Sequence, residues 1–207
     1  MLCRTLGLAL AVAMGITGTL FGQTPRLDEA TKLNAEAVTH MKAGRTQEAI
    51  PLLLRVVAIR EKDLGPDHPK TADALSNLAS AYDGNGDSYA ALPLLRRALR
   101  AYETSSPNDP AVPVILGNLA ALYYRIDQFP EALGVAERAL KLAEDIDGPE
   151  SPSAVNSMAN LAAIHWSMGA HAEARDLLQR AIEINESVQP EGYVGNATLL
   201  NNLAAVH

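Results

Sequence analysis

Four asparagines recur along this chain at a nearly constant spacing. They are Asn77, Asn118, Asn160 and Asn202, separated by 41, 42 and 42 residues. An amide side chain both donates and accepts hydrogen bonds, so residues of this type suit the binding of a polar ligand. A fixed period also indicates one structural unit stacked on copies of itself, and such stacks present long surfaces that bind other molecules. The pattern therefore favours a binding surface over a single enzyme pocket.

The residues that most often carry catalysis are not arranged for it. His40, His165 and His207 share one repeat position with Tyr82 and Tyr123, in separate repeats, which is typical of packing positions. No phosphate-binding loop, Gly-x-Ser-x-Gly or His-Glu-x-x-His motif occurs. We therefore predict no catalytic residues, no metal site, no cofactor and no enzymatic activity for this chain by itself.

Other landmarks keep the same period as the asparagines. Each asparagine begins an Asn-Leu-Ala triplet. A small turn residue recurs in each of the four full repeats, and an alanine stands five residues after that turn. A Pro-x-x-Pro loop closes the first three units. The turn residues are Gly44, Gly86, Asp127 and Gly169; the alanines are Ala49, Ala91, Ala132 and Ala174; the loops are Pro66/Pro69, Pro107/Pro110 and Pro149/Pro152.

The apolar residues between these landmarks have helical spacing. Leu75, Leu78, Ala79 and Tyr82, for example, lie at i, i+3, i+4 and i+7, which is one face of a helix. A second stripe follows each turn and ends at the proline loop. The sequence predicts four helical hairpins, with helices over residues 28–43, 47–64, 70–84, 89–103, 111–126, 130–146, 153–168 and 172–188. The fold class is therefore all-α, a solenoid of antiparallel helix hairpins.

The periodic part of the chain, residues 27–207, is predicted to be one solenoid. Four full repeats cover about residues 27–68, 69–110, 111–152 and 153–193, and a shortened fifth covers 194–207. A solenoid end without a capping helix exposes apolar side chains such as Leu199, Leu203 and Val206. We therefore expect that the chain is the N-terminal part of a longer protein, or that its open C-terminal end associates with another copy.

The first 22 residues differ in composition from the rest. A short segment with Arg4 precedes an uncharged, mostly apolar stretch, and residues 22–25 break it. This pattern is typical of a secretory signal peptide, although an uncleaved N-terminal membrane anchor is also compatible with it. Cys3 is the only cysteine, so the cleaved protein would contain none and could form no disulfide. We predict export to the periplasm or the outside of the cell.

Overall charge argues against nucleic acid as a partner. The formal net charge is −7 and the sequence pI is about 5.2, with no long run of Lys or Arg. A phosphate backbone requires a basic surface. We therefore expect a protein or an extended peptide as the partner, with membrane contact only through the N-terminal segment.

The repeat resembles the tetratricopeptide repeat, because alanine occupies both helix contact positions. The 42-residue length, the Asn-Leu-Ala triplet and the loop over residues 64–69 are similar to the kinesin light chain subclass. The resemblance covers residues 27–207. The first repeat departs from it with Ala35-Glu36-Ala37 in place of the triplet, and the third has Asp127 as its turn residue.

This resemblance implies a right-handed superhelix whose first helices line a concave groove that binds extended peptides or partner proteins. It places Asn77, Asn118, Asn160 and Asn202 in that groove as a ladder of amides; the alternative is that they bond within the helix layer and fix the repeat geometry. Tyr124 and Trp166 share one repeat position on the expected groove side. They are candidates for a peptide-binding hot spot, with packing between hairpins as the alternative.

The cations expected in the groove are few. The resemblance places only Lys42 and Arg125 there, which disfavours a strongly acidic peptide terminus as ligand. Three functions follow from the sequence: an exported scaffold that binds a peptide or protein, a sensor module that regulates an effector domain such as a caspase-like peptidase beyond His207, and a self-associating structural protein of the cell envelope.

Overall fold

The computed structural model of the protein describes residues 25–188. These residues form eight helices and no strand, and no helix among them is long and apolar enough to cross a membrane. The helices are α1 (Pro25–Lys42), α2 (Thr46–Leu64), α3 (Pro69–Gly84), α4 (Ser88–Ser105), α5 (Ala111–Arg125), α6 (Phe129–Asp147), α7 (Pro152–Ser167) and α8 (His171–Val188). Every predicted helix is present, and each observed end lies within three residues of the predicted one. The signal segment, the shortened fifth repeat and Asn202 lie outside the described residues.

The turn inside each hairpin requires one residue in the left-handed backbone region. Gly44, Gly86 and Gly169 adopt φ angles of 73°, 86° and 81°, which glycine tolerates because it lacks a Cβ. Asp127 holds the same position in the third repeat with φ 59°, and no other non-glycine residue over 25–188 has a positive φ. The predicted turn positions are therefore confirmed, including the one without glycine.

Each proline loop leads from one repeat into the first helix of the following repeat. Pro69 and Pro152 occupy the first turns of α3 and α7, where the missing N–H group costs no hydrogen bond and the fixed φ suits a helix. The residues before them cap those helices: His68 Nδ1 accepts from the Lys70 amide at 3.0 Å, and Ser151 Oγ accepts from the Ala154 amide at 3.1 Å. The loops therefore fix where each hairpin starts.

Alanines recur at buried positions on both helices of each hairpin. One set is Ala37, Ala79, Ala120 and Ala162 on the first helices, and the other is Ala49, Ala91, Ala132 and Ala174 on the second helices. All eight are buried, with at most 1% exposure. Small side chains at these positions permit close approach of the backbones. The repeating alanines therefore belong to the core and suit closely packed hairpins.

The first helices form one layer of the solenoid and the second helices the other. α1 lies against α3, α3 against α5, and α5 against α7, whereas no two second helices among the eight approach each other at the level of the backbone. When successive helices of one layer lie closer to each other than those of the other layer, the stack curves so that the closely spaced layer is on the inside. The first helices therefore line the concave side, and that side is called the groove below.

Candidate functional site

Three cavities lie along the groove in the part of the chain that the structure describes. The first, of about 440 Å³, lies between α3 and α5 and includes Asn34 of α1 and Asn77. The second, of about 380 Å³, lies between α5 and α7. The third, of about 140 Å³, lies nearer the hairpin turns of α3 and α5 and shares Asn118 with the second. Each cavity thus contains at least one of the ladder asparagines.

Asn77 uses part of its amide to hold the first two repeats together. Its Nδ2 donates to Asn34 Oδ1 at 3.0 Å, across the contact between α1 and α3. Asn34 stands one residue before the position that the repeat frame assigns to the ladder. Both side chains are half-buried, and both line the first cavity. Asn77 thus bonds within the layer of first helices, which was the alternative role for the ladder asparagines. Its Oδ1 atom accepts no hydrogen bond from residues 25–188 and is available to a ligand.

Asn118 and Asn160 lie together in the second cavity. Asn118 is half-buried and Asn160 is exposed. Gly117 lines the same cavity, and a Cβ at position 117 would lie in van der Waals contact with Asn160 Nδ2, at 3.4 Å. Neither amide has a hydrogen-bond partner among residues 25–188, so both are available to a ligand.

Asp73, Val114 and Asn156 also belong to the groove, and sequence reasoning missed them. Each stands four residues before a ladder asparagine, one helical turn away on the same face. This four-residue spacing from each ladder asparagine could have identified them from the sequence. Val114 is 56% exposed and lines both the first and second cavities. An apolar side chain therefore separates two polar sites.

The first cavity contains a guanidinium that the repeat frame did not indicate. Arg60 belongs to the second helix α2, but its Nη1 donates to the Lys70 carbonyl oxygen at 2.5 Å, at the start of α3. Asp73 lines the same cavity, and its Oδ1 accepts a hydrogen bond from the Tyr102 hydroxyl at 2.5 Å. Burial lowers the pKa of Arg60 while Asp73 opposes that shift, and burial with the Asp73 hydrogen bond raises the pKa of Tyr102.

Arg125 is not a free cation in the groove. Its Nη2 lies 2.8 Å from Asp83 Oδ2, and the same carboxylate accepts a 2.8 Å hydrogen bond from Ser88 Oγ. Arg125 does line the third cavity together with Asn118. The structure therefore places this predicted site residue beside the ladder, with its charge compensated.

Tyr124 and Trp166 lie at the rim of the groove, near the hairpin turns. The Tyr124 ring meets Phe129 edge-on with centroids 5.7 Å apart, and its hydroxyl accepts from Ser167 Oγ at 2.9 Å. Trp166 packs on His171 at 4.1 Å between ring centroids. Each aromatic is 37% exposed and neither lines the three cavities. They combine packing within a hairpin with an exposed face.

The groove offers hydrogen bonds and apolar contact. Over residues 25–188, no group of three His, Cys, Asp or Glu side chains is placed to hold a metal ion. The cavities instead contain amides, hydroxyls, the ion pair of Arg125 with Asp83, and the side chains of Arg60 and Asp73. Such a surface can hold a ligand by its polar groups.

Comparisons with known proteins agree with this architecture. The protein KINESIN LIGHT CHAIN-RELATED 1 of Arabidopsis thaliana is 30% identical over 140 residues, which are 64% of this chain and 22% of that protein. Two solved structures of nearly identical TPR-like repeats, assigned to a kinesin light chain of Podosopora anserina, are 25% identical, with TM-scores of 0.76 and 0.75. They are matched over 89% of this chain and 87% of theirs.

A third structure is similar in fold, and a family comparison covers most of the chain. BtubC (BKLC) of P. vanneervenii has a TM-score of 0.65 at 20% identity, over 87% of this chain and 81% of that one. Residues 28–104 and 112–187 match the tetratricopeptide repeat family. These two stretches take in all four hairpins of the structure. The chain belongs to the tetratricopeptide repeat family, and its structure is similar to kinesin light chain-like members.

Proposed function

We propose that this chain is an interaction scaffold that holds an extended segment of a partner protein in its groove. The observation that carries the proposal is the second cavity, where the Asn118 and Asn160 amides face one space of about 380 Å³ beside the exposed Val114. Tetratricopeptide repeats generally bind proteins or peptides, and the family consists typically of scaffolds without enzymatic activity.

The chemistry of an extended peptide matches these groups. Its backbone presents an N–H donor and a C=O acceptor at each residue, and an asparagine amide can pair with both. The unpaired amides of Asn118 and Asn160 lie on successive first helices, so they can engage successive parts of one strand. Val114 between the cavities supplies apolar contact for a side chain of that strand.

The rim aromatics extend the proposed site toward the turns. Tyr124 and Trp166 each keep about a third of their surface open while their other faces are packed. An aromatic ring that is already held loses little freedom on binding, which is why such residues dominate many interfaces. We include both in the proposed contact surface.

We also propose that the interaction takes place outside the cytoplasm. The support is the composition of residues 1–22, with one arginine before an uncharged apolar stretch, and the lack of any cysteine after Cys3. Mass spectrometry of the protein isolated from its source tests this. A mature N-terminus near residue 23 is expected, and a cytoplasmic protein that retains Met1 would contradict it.

A random 12-residue peptide library displayed on phage tests the groove directly. The full chain should recover peptides that bind it as synthetic, fluorescently labelled peptides. Asn118→Ala combined with Asn160→Ala should weaken that binding roughly tenfold or more, because two amide contacts are lost. Asn108→Ala is the matched control, since Asn108 is an exposed asparagine in the loop before α5.

The outcomes are distinct. The proposal is supported if the double variant binds the peptides more weakly while Asn108→Ala binds them like the wild type, and if the circular dichroism spectrum and melting temperature of the double variant are unchanged. Equal binding by the wild-type protein and the double variant, or no peptide recovered at all, would mean that the ladder is not the binding site.

A further inference from the structure

Formal charge cancels in each of the three groove cavities. The first is lined by one guanidinium and one carboxylate, Arg60 and Asp73; the third is lined by Arg125 and Asp83; the second is lined by no ionisable residue. The chain as a whole carries a net charge of −7. The groove is therefore electrically balanced within a strongly acidic protein.

The first cavity shows how this balance is built. The exposed Asp73 accepts a hydrogen bond at its Oδ1 from the Tyr102 hydroxyl at 2.5 Å, and the half-buried Arg60 lines the same cavity. Arg60 in turn is held by the Lys70 carbonyl oxygen. Asp73 Oδ2 has no hydrogen-bond partner in the described chain. The opposite wall is apolar, formed by Ala111, Val114 and Ile115 of α5.

We propose that the groove selects an uncharged stretch of peptide, and that Asp73 is the residue that sets this selectivity by balancing the charge of Arg60. The proposal rests on the peptide-binding function proposed above and specifies its ligand. A peptide group is itself a neutral pair of donor and acceptor. Its N–H can donate to Asp73 Oδ2 while its C=O accepts from the guanidinium, and a small apolar side chain can lie against Val114.

A charged ligand residue would be rejected by whichever member of the pair has the same charge. A ligand carboxylate would meet Asp73, and a ligand ammonium would meet Arg60. In either case the cavity would hold one charge without a partner next to a group of the same sign, which disfavours that ligand. The second cavity, with only amides, hydroxyls and apolar groups, offers no countercharge to a neighbouring ligand residue either.

Asp73→Asn is the informative variant. The amide keeps an oxygen that can accept from Tyr102, but it removes the negative charge and leaves Arg60 unbalanced. The matched control is Asp67→Asn, which removes the same charge from an exposed loop residue outside the three cavities. The same 12-residue phage library is panned against the full-length wild-type chain and both variants, and recovered peptides are remeasured in solution.

We expect uncharged binding segments from the wild-type chain and from Asp67→Asn, and segments with Asp or Glu from Asp73→Asn. The acidic peptides should bind Asp73→Asn roughly tenfold more tightly than they bind the wild-type chain. Two results overturn the proposal: wild-type ligands that require a charged residue, or identical ligands from Asp73→Asn and the wild type. The Asn118→Ala/Asn160→Ala double variant separates these failures from a failure of the proposed function. If the recovered peptides still bind this double variant more weakly than the wild type, only the proposed selectivity is wrong. If they bind both equally, the proposed function itself fails.

Discussion

Arg138 on α6 reaches back to Glu103 on α4, with Nη2 and Oε1 2.5 Å apart. The same contact recurs in the other repeats, from Arg97 to Glu61 and from Arg180 to Glu144. Because successive second helices do not touch at the level of the backbone, these ion pairs bridge the convex side of the solenoid.

A double-mutant cycle on Arg138→Ala and Glu103→Ala should give a coupling free energy of about 0.2–1 kcal/mol, since both side chains are partly exposed. The coupling should fall in 1 M salt, because salt screens exposed charges. Urea unfolding measures it. Lys32→Ala, at an exposed lysine of α1 that forms no ion pair within residues 25–188, is the control that should show no coupling to Glu103, because α1 does not contact α4. A coupling that does not change with salt would contradict an electrostatic origin.

Asp127→Gly should stabilise the protein by up to about 1 kcal/mol. Asp127 has φ 59°, a conformation that glycine adopts without the Cβ clash of other residues. Thermal unfolding followed by circular dichroism measures the gain. Asp67→Gly is the comparison, because Asp67 is a loop residue without a positive φ and glycine there adds only chain entropy. A lower melting temperature for Asp127→Gly than for the wild type would refute the argument.

Ala120→Leu should destabilise the fold by about 1 to 3 kcal/mol. Ala120 is fully buried in the core, so three additional carbon atoms must displace neighbours. Ala163→Leu adds the same atoms at an exposed position of α7 and should leave the melting temperature nearly unchanged. An unchanged midpoint for Ala120→Leu would show that the core can expand there without cost.

Gly117→Ala should separate stability from binding. Alanine in place of a helical glycine favours the helix by about 0.5–1 kcal/mol, but the new methyl group would lie 3.4 Å from Asn160 Nδ2 and fill part of the second cavity. We therefore expect equal or higher stability with weaker binding of the library-derived peptides. Gly134→Ala on α6, where a Cβ meets nothing within 4 Å, should give the same helix benefit and unchanged binding. Parallel loss of binding in both variants would count against the second cavity as the site.

Trp166 should report occupancy of the groove rim. It is the only tryptophan of the chain and 37% of its surface is exposed beside His171. Saturation with a peptide that contacts the rim should shift its emission to shorter wavelength, because the indole loses water. A peptide whose binding depends on Asn118 and Asn160 but leaves the spectrum unchanged would remove Trp166 from the contact surface.

Much of the solenoid could be predicted because its information is local. The apolar spacing around Leu75 and Leu78, the turn residues such as Gly86 and the alanines such as Ala120 each specify a helix, a turn or a close contact within one repeat. Repetition of the same signal four times corrects errors in any one copy. This is why the helix ends agree within three residues with the predicted ones.

The candidate site was predictable only in part. The repeat frame led to Asn118 and Asn160, which do share a cavity, and to Arg125, which lies next to Asn118. It could not show that Arg125 is paired with Asp83, since that contact joins different repeats. Nor could a frame built on first helices indicate Arg60, which enters the groove from a second helix.

The sequence by itself therefore determined the family, the number and ends of the described helices, and the residues that pack within each hairpin. Only the tertiary structure decided which side chains meet between hairpins: Asn34 with Asn77, Arg125 with Asp83, and Tyr124 with Ser167. The physical reason is that periodicity fixes the face of a helix on which a residue lies, whereas contacts across repeats depend on the rotation and offset of one hairpin against the next. Those quantities come from the packing of the whole stack, which no single repeat encodes.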